Sequence, residues 1–193
     1  MALKRLFYVI NKGGICISLN KQIFIINGSG GVGKDTFVEL VSAELNDILK
    51  KFHTVINFSS VDKVKDIAKE IGWTGKKSEK DRKFLSDLKI LTSDYCDMPF
   101  KSIRSKVKEF VEDEESKFLF LHIREPEEIT RAVKEFDAKT LLIIRNSVKH
   151  ITSNMADENV FNYNYDFIID NSGTKEELNG KAKDFVQEVI DSE

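Results

Sequence analysis

The chain carries no surplus of either charge. Thirty Lys and Arg stand against 32 Asp and Glu, a net of -2 with the two signs interspersed. That balance gives no electrostatic case for nucleic acid or an acidic membrane surface as a partner. Cysteine is scarce: Cys16 and Cys96 lie far apart in sequence with no paired spacing. Two buried, reduced thiols in a cytosolic protein are the expectation, with a disulfide as the alternative. The three histidines, His53, His122 and His150, form no metal-ligand spacing with one another or with cysteine. They read as structural, with His122 kept open. No apolar run approaches the length of a membrane span. Lys4-Arg5 followed by Leu6 to Ile10 is faintly like a signal peptide. That run is too short, is broken by Asn11-Lys12-Gly13-Gly14 and lacks a small-residue cleavage site. A cytoplasmic protein is expected. There is no internal repeat and no low-complexity segment.

What is present suits one globular domain. At 193 residues and 41% apolar content the chain can bury a substantial core. Leu6 to Ile10 and Ile15 to Leu19 flank turn residues, so a β-hairpin is expected before the main unit. Ile23 to Ile26 is apolar without alternation, as in a strand covered on both faces. From Phe37 through Val41, Leu45 and Leu49 to Phe52, apolar residues recur at helical spacing. Val55 to Phe58 reads as a second strand. Val61 to Ile71 follows as a helix, stopped by Gly72. Helices are expected from Glu79 to about Tyr95 and from Pro99 to about Val111. Phe118 to Ile123, Thr140 to Ile144 and Tyr165 to Ile169 complete the strands. A helix starts at Pro126, its acids well placed for the first turn. Another follows the cap-like Thr174-Lys175-Glu176-Glu177. Strands alternating with helices imply an α/β fold: a five-stranded parallel sheet with helices on both faces. Ligands then bind beyond the carboxyl ends of the strands.

The stretch Gly28-Ser29-Gly30-Gly31-Val32-Gly33-Lys34-Asp35-Thr36 sits at such an end. Gly28 and Gly33-Lys34 have the G-x-x-x-x-G-K spacing of the phosphate-binding P-loop. Glycines let the backbone approach an anion, and successive N–H groups and the helix N-terminus face it. Lys34 would neutralise charge on the β- and γ-phosphates. Asp35 stands where a Mg2+-binding hydroxyl usually stands. It would hold Mg2+, orient an attacking hydroxyl, or only cap the helix. Thr36 would contact the α-phosphate or take over the metal-ligand role. No Asn-Lys-x-Asp guanine motif is present, and no strand ends in an acidic pair for water activation. Arg124 and Arg145 follow the third and fourth strands instead, where arginines can clamp phosphates; surface ion pairing is their alternative.

These segments resemble the P-loop nucleoside monophosphate kinase group. The likeness is closest to the deoxynucleoside monophosphate kinases of phages, with dephospho-coenzyme A kinase and animal phosphomevalonate kinase as relatives. Gly33-Lys34-Asp35-Thr36 is the shared loop ending. Phe58 to Ala68 is similar to the segment opening the acceptor region, with Lys65 at the matching position. Arg82 to Leu88 resembles the acceptor-site helix, His122-Ile123-Arg124 the Asp-Val-Arg segment, and Arg145 starts a lid-like stretch with Lys149 and His150. Asp166 to Thr174 resembles the last strand and the turn near the adenine. The resemblance implies a P-loop NTPase fold and an ATP- and Mg2+-dependent transfer of the γ-phosphate to a small phosphorylated acceptor, expected to be a nucleoside monophosphate. It implies Lys34, Asp35, Arg124 and Arg145 at the transfer, the loop with Asn171 and Gly173 on ATP, and Asp62, Lys65, Arg82 and Arg124 on the acceptor. Asp35 and Thr36 would hold the metal. Residues 1–20 read as an extension to a unit spanning 21–193, with 59–110 for the acceptor and 145–163 as lid. Two departures stand out: His122 replaces an aspartate, so that the metal or acceptor contact is lost or is supplied by Asp35, Asp62 or Glu125, and the lid is poor in arginine. The alternatives are an ATP-binding module without transferase activity, or a kinase for a non-nucleotide phosphate acceptor such as dephospho-coenzyme A or phosphomevalonate.

Overall fold

The structure, a computed structural model, describes residues 8–11, 14–17, 19–76, 78–146 and 159–192. Seven strands occur among them. β1 (Tyr8–Asn11) pairs antiparallel with β2 (Gly14–Ile17), forming a two-stranded sheet of its own. The other five are β3 (Gln22–Asn27), β4 (Val55–Ser59), β5 (Phe118–His122), β6 (Lys139–Ile144) and β7 (Phe167–Asp170). All pair in parallel, in the spatial order β4-β5-β3-β6-β7. The connecting helices are α1 (Lys34–Leu49), α2 (Asp62–Glu70), α3 (Glu79–Cys96), α4 (Met98–Glu112), α5 (Pro126–Phe136) and α6 (Lys175–Asp191).

The alternation of side chains along a strand divides the core in two. Phe24 and Ile26 of β3, with Phe118 and Phe120 of β5, pack under α1 and α6 through Phe37, Val41, Leu45, Phe185 and Val189. Ile25, Leu119 and Leu121 point the other way, onto Phe100 and Ile103 of α4 and Ile129 of α5. Phe24 is the hub of the first layer. Its ring stacks on Phe120 at 5.2 Å and meets the edges of Phe118 and Phe185 at 5.2 and 5.1 Å. Such pairs contribute about 0.5–1.5 kcal/mol each beyond area burial.

Two boundaries differ from the sequence reading. α1 ends at Leu49 because Lys50 takes a left-handed conformation (φ 52°), and its N–H turns back to the last carbonyls. Phe52 therefore lies outside the helix, 79% exposed. Tyr165 is not in the last strand; β7 begins at Phe167, and the Tyr165 ring turns towards the end of β3. The helix expected at Glu79 forms, but its apolar residues do not reach the core. α3 has no buried residue and packs chiefly on α2 and α4, leaving Ile90, Leu91 and Tyr95 exposed. The Ser78–Asp81 and Thr174–Glu177 pairs form reciprocal capping boxes at the starts of α3 and α6.

β3 is the central strand, and α1 follows it directly through the glycine loop. A parallel five-stranded sheet, covered on both faces and opening at its centre into G-x-x-x-x-G-K, is the P-loop NTPase fold. Among the described residues no helix is long and apolar enough to cross a membrane. Cys96 is a free, half-buried thiol rather than a core residue; its Sγ lies 3.5 Å from the Thr92 carbonyl.

Candidate functional site

The loop owes its shape to backbone that only glycine supplies at two points. Gly28 has φ 140°, and a Cβ there would run into the Ile143 carbonyl of β6. Gly33 has φ 95°, and a Cβ there would collide with the Asn171 amide. Gly33 is also the N-cap of α1, and no side chain caps that helix. This is the end of the helix where the dipole favours an anion. Lys34 folds back across the loop, its Nζ donating to the carbonyls of Gly28 (2.5 Å) and Ser29 (2.9 Å). Ser29 and Val32 are buried, Gly30 is half-buried and Gly31 exposed.

Two asparagines pin the loop at either end. Asn27 is fully buried; its Oδ1 accepts from the Gly28 N–H (2.8 Å), and its Nδ2 donates to Tyr165 Oη (2.7 Å) and the Arg124 carbonyl (3.2 Å). Tyr165 passes its own proton to the Val160 carbonyl (2.8 Å), and burial pushes its phenol up to about 12. Asn171 donates from Nδ2 to the Val32 carbonyl (2.7 Å), while its backbone N–H bonds the Ile144 carbonyl (2.7 Å). Asn171 thus joins the end of β7 to the loop. Gly173 leads into the capping box of α6.

On the α1 side of the sheet a polar trio closes the site. Phe118, Phe120 and His122 of β5 share that face, as do Val55 and Asn57 of the adjacent β4. His122 Nε2 lies 2.6 Å from Asn57 Oδ1, Asn57 Nδ2 lies 3.1 Å from Asp35 Oδ1, and His122 Nε2 lies 3.6 Å from the same carboxylate oxygen. Burial lowers the His122 imidazole to about 4; Asp35 opposes that fall and Lys34 adds to it. The ring is therefore neutral near pH 7. An amide oxygen can only accept, so the proton is on Nε2. Of the acids that could stand in for the aspartate replaced by His122, Asp35 lies 3.6 Å from the ring, and Asp62 acts on it through its charge. Asp62 makes other bonds: Oδ2 accepts from the Ser59 N–H (3.1 Å) and Oδ1 pairs with Lys65 (2.9 Å). Glu125 turns to Lys89.

That last contact belongs to a second cluster. Lys89 of α3 lies 2.5 Å from Glu125 Oε2 and 3.0 Å from Glu128 Oε2, at the start of α5. Burial pushes Glu128 up to about 7, with Glu125 adding and Lys89 opposing. Glu125, although burial works against it, is held below the usual range by Lys89 and by a hydrogen bond from Glu128. The cluster ties α3 to the segment that carries Arg124.

Arg124 is half-buried directly after β5, and Arg145 is exposed directly after β6. Arg82 stands exposed in the first turn of α3. Thr36 is half-buried in the first turn of α1. Lys149 and His150, with most of the lid-like stretch, lie outside the described residues. Among the described residues no group of three or more His, Cys, Asp and Glu could hold a metal ion. A Mg2+ ion suits what is present, because it is commonly bound by one or two carboxylates together with substrate phosphates. Sequence reasoning missed Asn27, Asn57, Tyr165 and Lys89. Only Asn57 left a signal: a polar residue inside a short apolar run.

No protein-family model matches the chain, and no curated protein matches it. Solved structures do. Shikimate kinase from Aquifex aeolicus is 13% identical, with a TM-score of 0.45, and the match covers 86% of this chain and 96% of that one. The tunicamycin resistance protein of Deinococcus radiodurans is 10% identical, with a TM-score of 0.47 and coverage of 90% and 95%. Thymidylate kinase from Ehrlichia chaffeensis is 11% identical, with a TM-score of 0.31 and coverage of 90% and 88%.

Proposed function

We propose that the protein is an ATP- and Mg2+-dependent phosphotransferase that moves the γ-phosphate to a small phosphorylated acceptor, a nucleoside monophosphate being the favoured class. The observation carrying this reading is the uncapped N-terminus of α1, opened by Gly33 and followed by Lys34, at the carboxyl end of the central strand. Such an end takes up phosphate through backbone N–H groups and the helix dipole. Lys34 would leave the Gly28 and Ser29 carbonyls for the β- and γ-phosphates, since a phosphate oxygen is the stronger acceptor for an ammonium. Asp35 and Thr36 would hold the metal. The chemistry a bound Mg2+ would supply there is neutralisation of charge on the phosphates.

Transfer to a second substrate, rather than to water, is supported by the residues at the same sheet edge. Arg124 and Arg145 follow the strands on either side of β3, and the Asp62–Lys65 pair follows β4. Arg124, Lys65 and Arg82 would bind the acceptor's phosphate, with the acceptor region at 59–110. Arg145 and Lys149 would close over the transfer. Little covalent chemistry is asked of the protein; positioning and charge neutralisation carry the rate. The test is a screen of nucleoside monophosphates, dephospho-coenzyme A and phosphomevalonate by coupled ADP release. The expected outcome is ADP release that depends on one acceptor class and falls by about 3 kcal/mol, roughly a hundredfold, in Lys34→Ala. Undiminished phosphotransfer by that variant would overturn the mechanism. ATP binding without transfer to any acceptor would leave only a nucleotide-binding module.

A further inference from the structure

Asp35 is exposed, its side chain 78% accessible at the start of α1. An aspartate so placed would turn freely among its rotamers. Here one of its oxygens is engaged. Asn57 reaches it from β4, and His122 reaches Asn57 from β5, so three separate elements converge on one carboxylate. The donor order is fixed by chemistry. Asp35 offers only acceptors, so it faces the Asn57 NH2. The Asn57 oxygen then faces the His122 ring, which has to donate. With the amide turned the other way, two oxygens would meet at Asp35.

Asn57 is not explained by the fold. It is exposed, on an edge strand, and asparagine is depleted in strands. Its neighbours Ile56 and Phe58 supply β4's packing on the opposite face. We infer that Asn57 and His122 are positioning residues that hold the Asp35 carboxylate in one orientation for the metal–nucleotide complex, as their unbroken run of hydrogen bonds from β5 through β4 to α1 indicates. The inference rests on the phosphotransfer reading. Outer groups that orient a ligating carboxylate typically change metal affinity by 10- to 100-fold when removed.

The test uses the full chain, a non-hydrolysable ATP analogue and Mn2+ titrated by electron paramagnetic resonance, alongside analogue affinity without metal. In Asn57→Ala, metal-free analogue affinity should stay within about twofold of wild type, because loop amides and Lys34 provide it. Mn2+ affinity in the ternary complex should fall about tenfold. His122→Ala should move the same way, and His122→Gln, which keeps an N–H donor, should recover most of the loss. Unchanged Mn2+ affinity in both Asn57→Ala and His122→Ala overturns the positioning role alone. So does an equal loss of metal-free affinity, which marks a structural role. A wild-type chain that binds no analogue, with or without Mn2+, overturns the phosphotransfer reading and this inference with it.

Discussion

Asn171→Ala separates two ways in which the last strand could serve the nucleotide. The Asn171 side chain is 7% exposed, and its Nδ2 donates to the Val32 carbonyl at 2.7 Å. The substitution deletes that donor and leaves a buried carbonyl without it. The backbone bond from Asn171 N–H to Ile144 is untouched, so the side chain alone is tested. Alanine is smaller than asparagine, so no clash is added. Stranding a buried acceptor costs about 1–3 kcal/mol. For a domain of this size each kcal/mol lowers Tm by about 2–4 °C. Asn171→Asp should cost more, since it sets a carboxylate oxygen against the carbonyl. The assays are urea unfolding and nucleotide binding. If Asn171 anchors the loop, affinity for ATP and GTP should fall together, roughly 5- to 30-fold for 1–2 kcal/mol. Stability within about 0.5 kcal/mol of wild type would refute the anchoring argument. So would a change in the ATP-to-GTP ratio with stability intact, which marks a contact with the base.

Glu128 gives a pH-dependent prediction. Its folded pKa of about 7 lies above the ordinary carboxylate value, so its contribution is complete below about pH 4.5 and is lost as pH rises through 7. The shift corresponds to about 3 kcal/mol, shared with Glu125, the N-cap residue just before α5, and with Lys89, which faces it from α3. Glu128→Gln stays neutral and should flatten the decline of unfolding free energy between pH 5 and 8; parallel curves for the two proteins would refute the assignment. Phe24→Ala, at the hub of the aromatic layer, should cost about 3–5 kcal/mol in the same urea assay. Phe24→Leu should cost much less, and similar losses for the two would argue against a cavity effect.

Much of this architecture was legible in the residues. Unbroken apolar runs at Ile23–Ile26 and Phe118–Leu121 mark strands covered on both faces, and they are β3 and β5. Glycine and lysine spacing marks the phosphate loop, because only glycine takes the backbone seen at Gly28 and Gly33. The helix cap at Thr174 is local chemistry and was readable as such. Failures came where an element's fate depends on what lies beside it. Phe52 continues α1's apolar spacing, yet the helix stops at Lys50 and the ring stays in solvent. Tyr165 has strand character, but its hydroxyl is drawn to Asn27, 138 positions away.

The sequence by itself determined the glycine-rich loop, the alternation of strands and helices, and which side chains share a face of each strand. Those properties are local: φ preferences, periods of 2 and 3.6, and the chemistry of caps. Tertiary structure alone decided that β5 inserts between β3 and β4. That insertion sets His122 beside Asn57, and Asn57 beside Asp35. Periodicity says which way a residue points, but strand order chooses its neighbour. Asp35 was readable as a carboxylate beside phosphates; that it is held by an asparagine and a neutral histidine required three distant segments to be folded together.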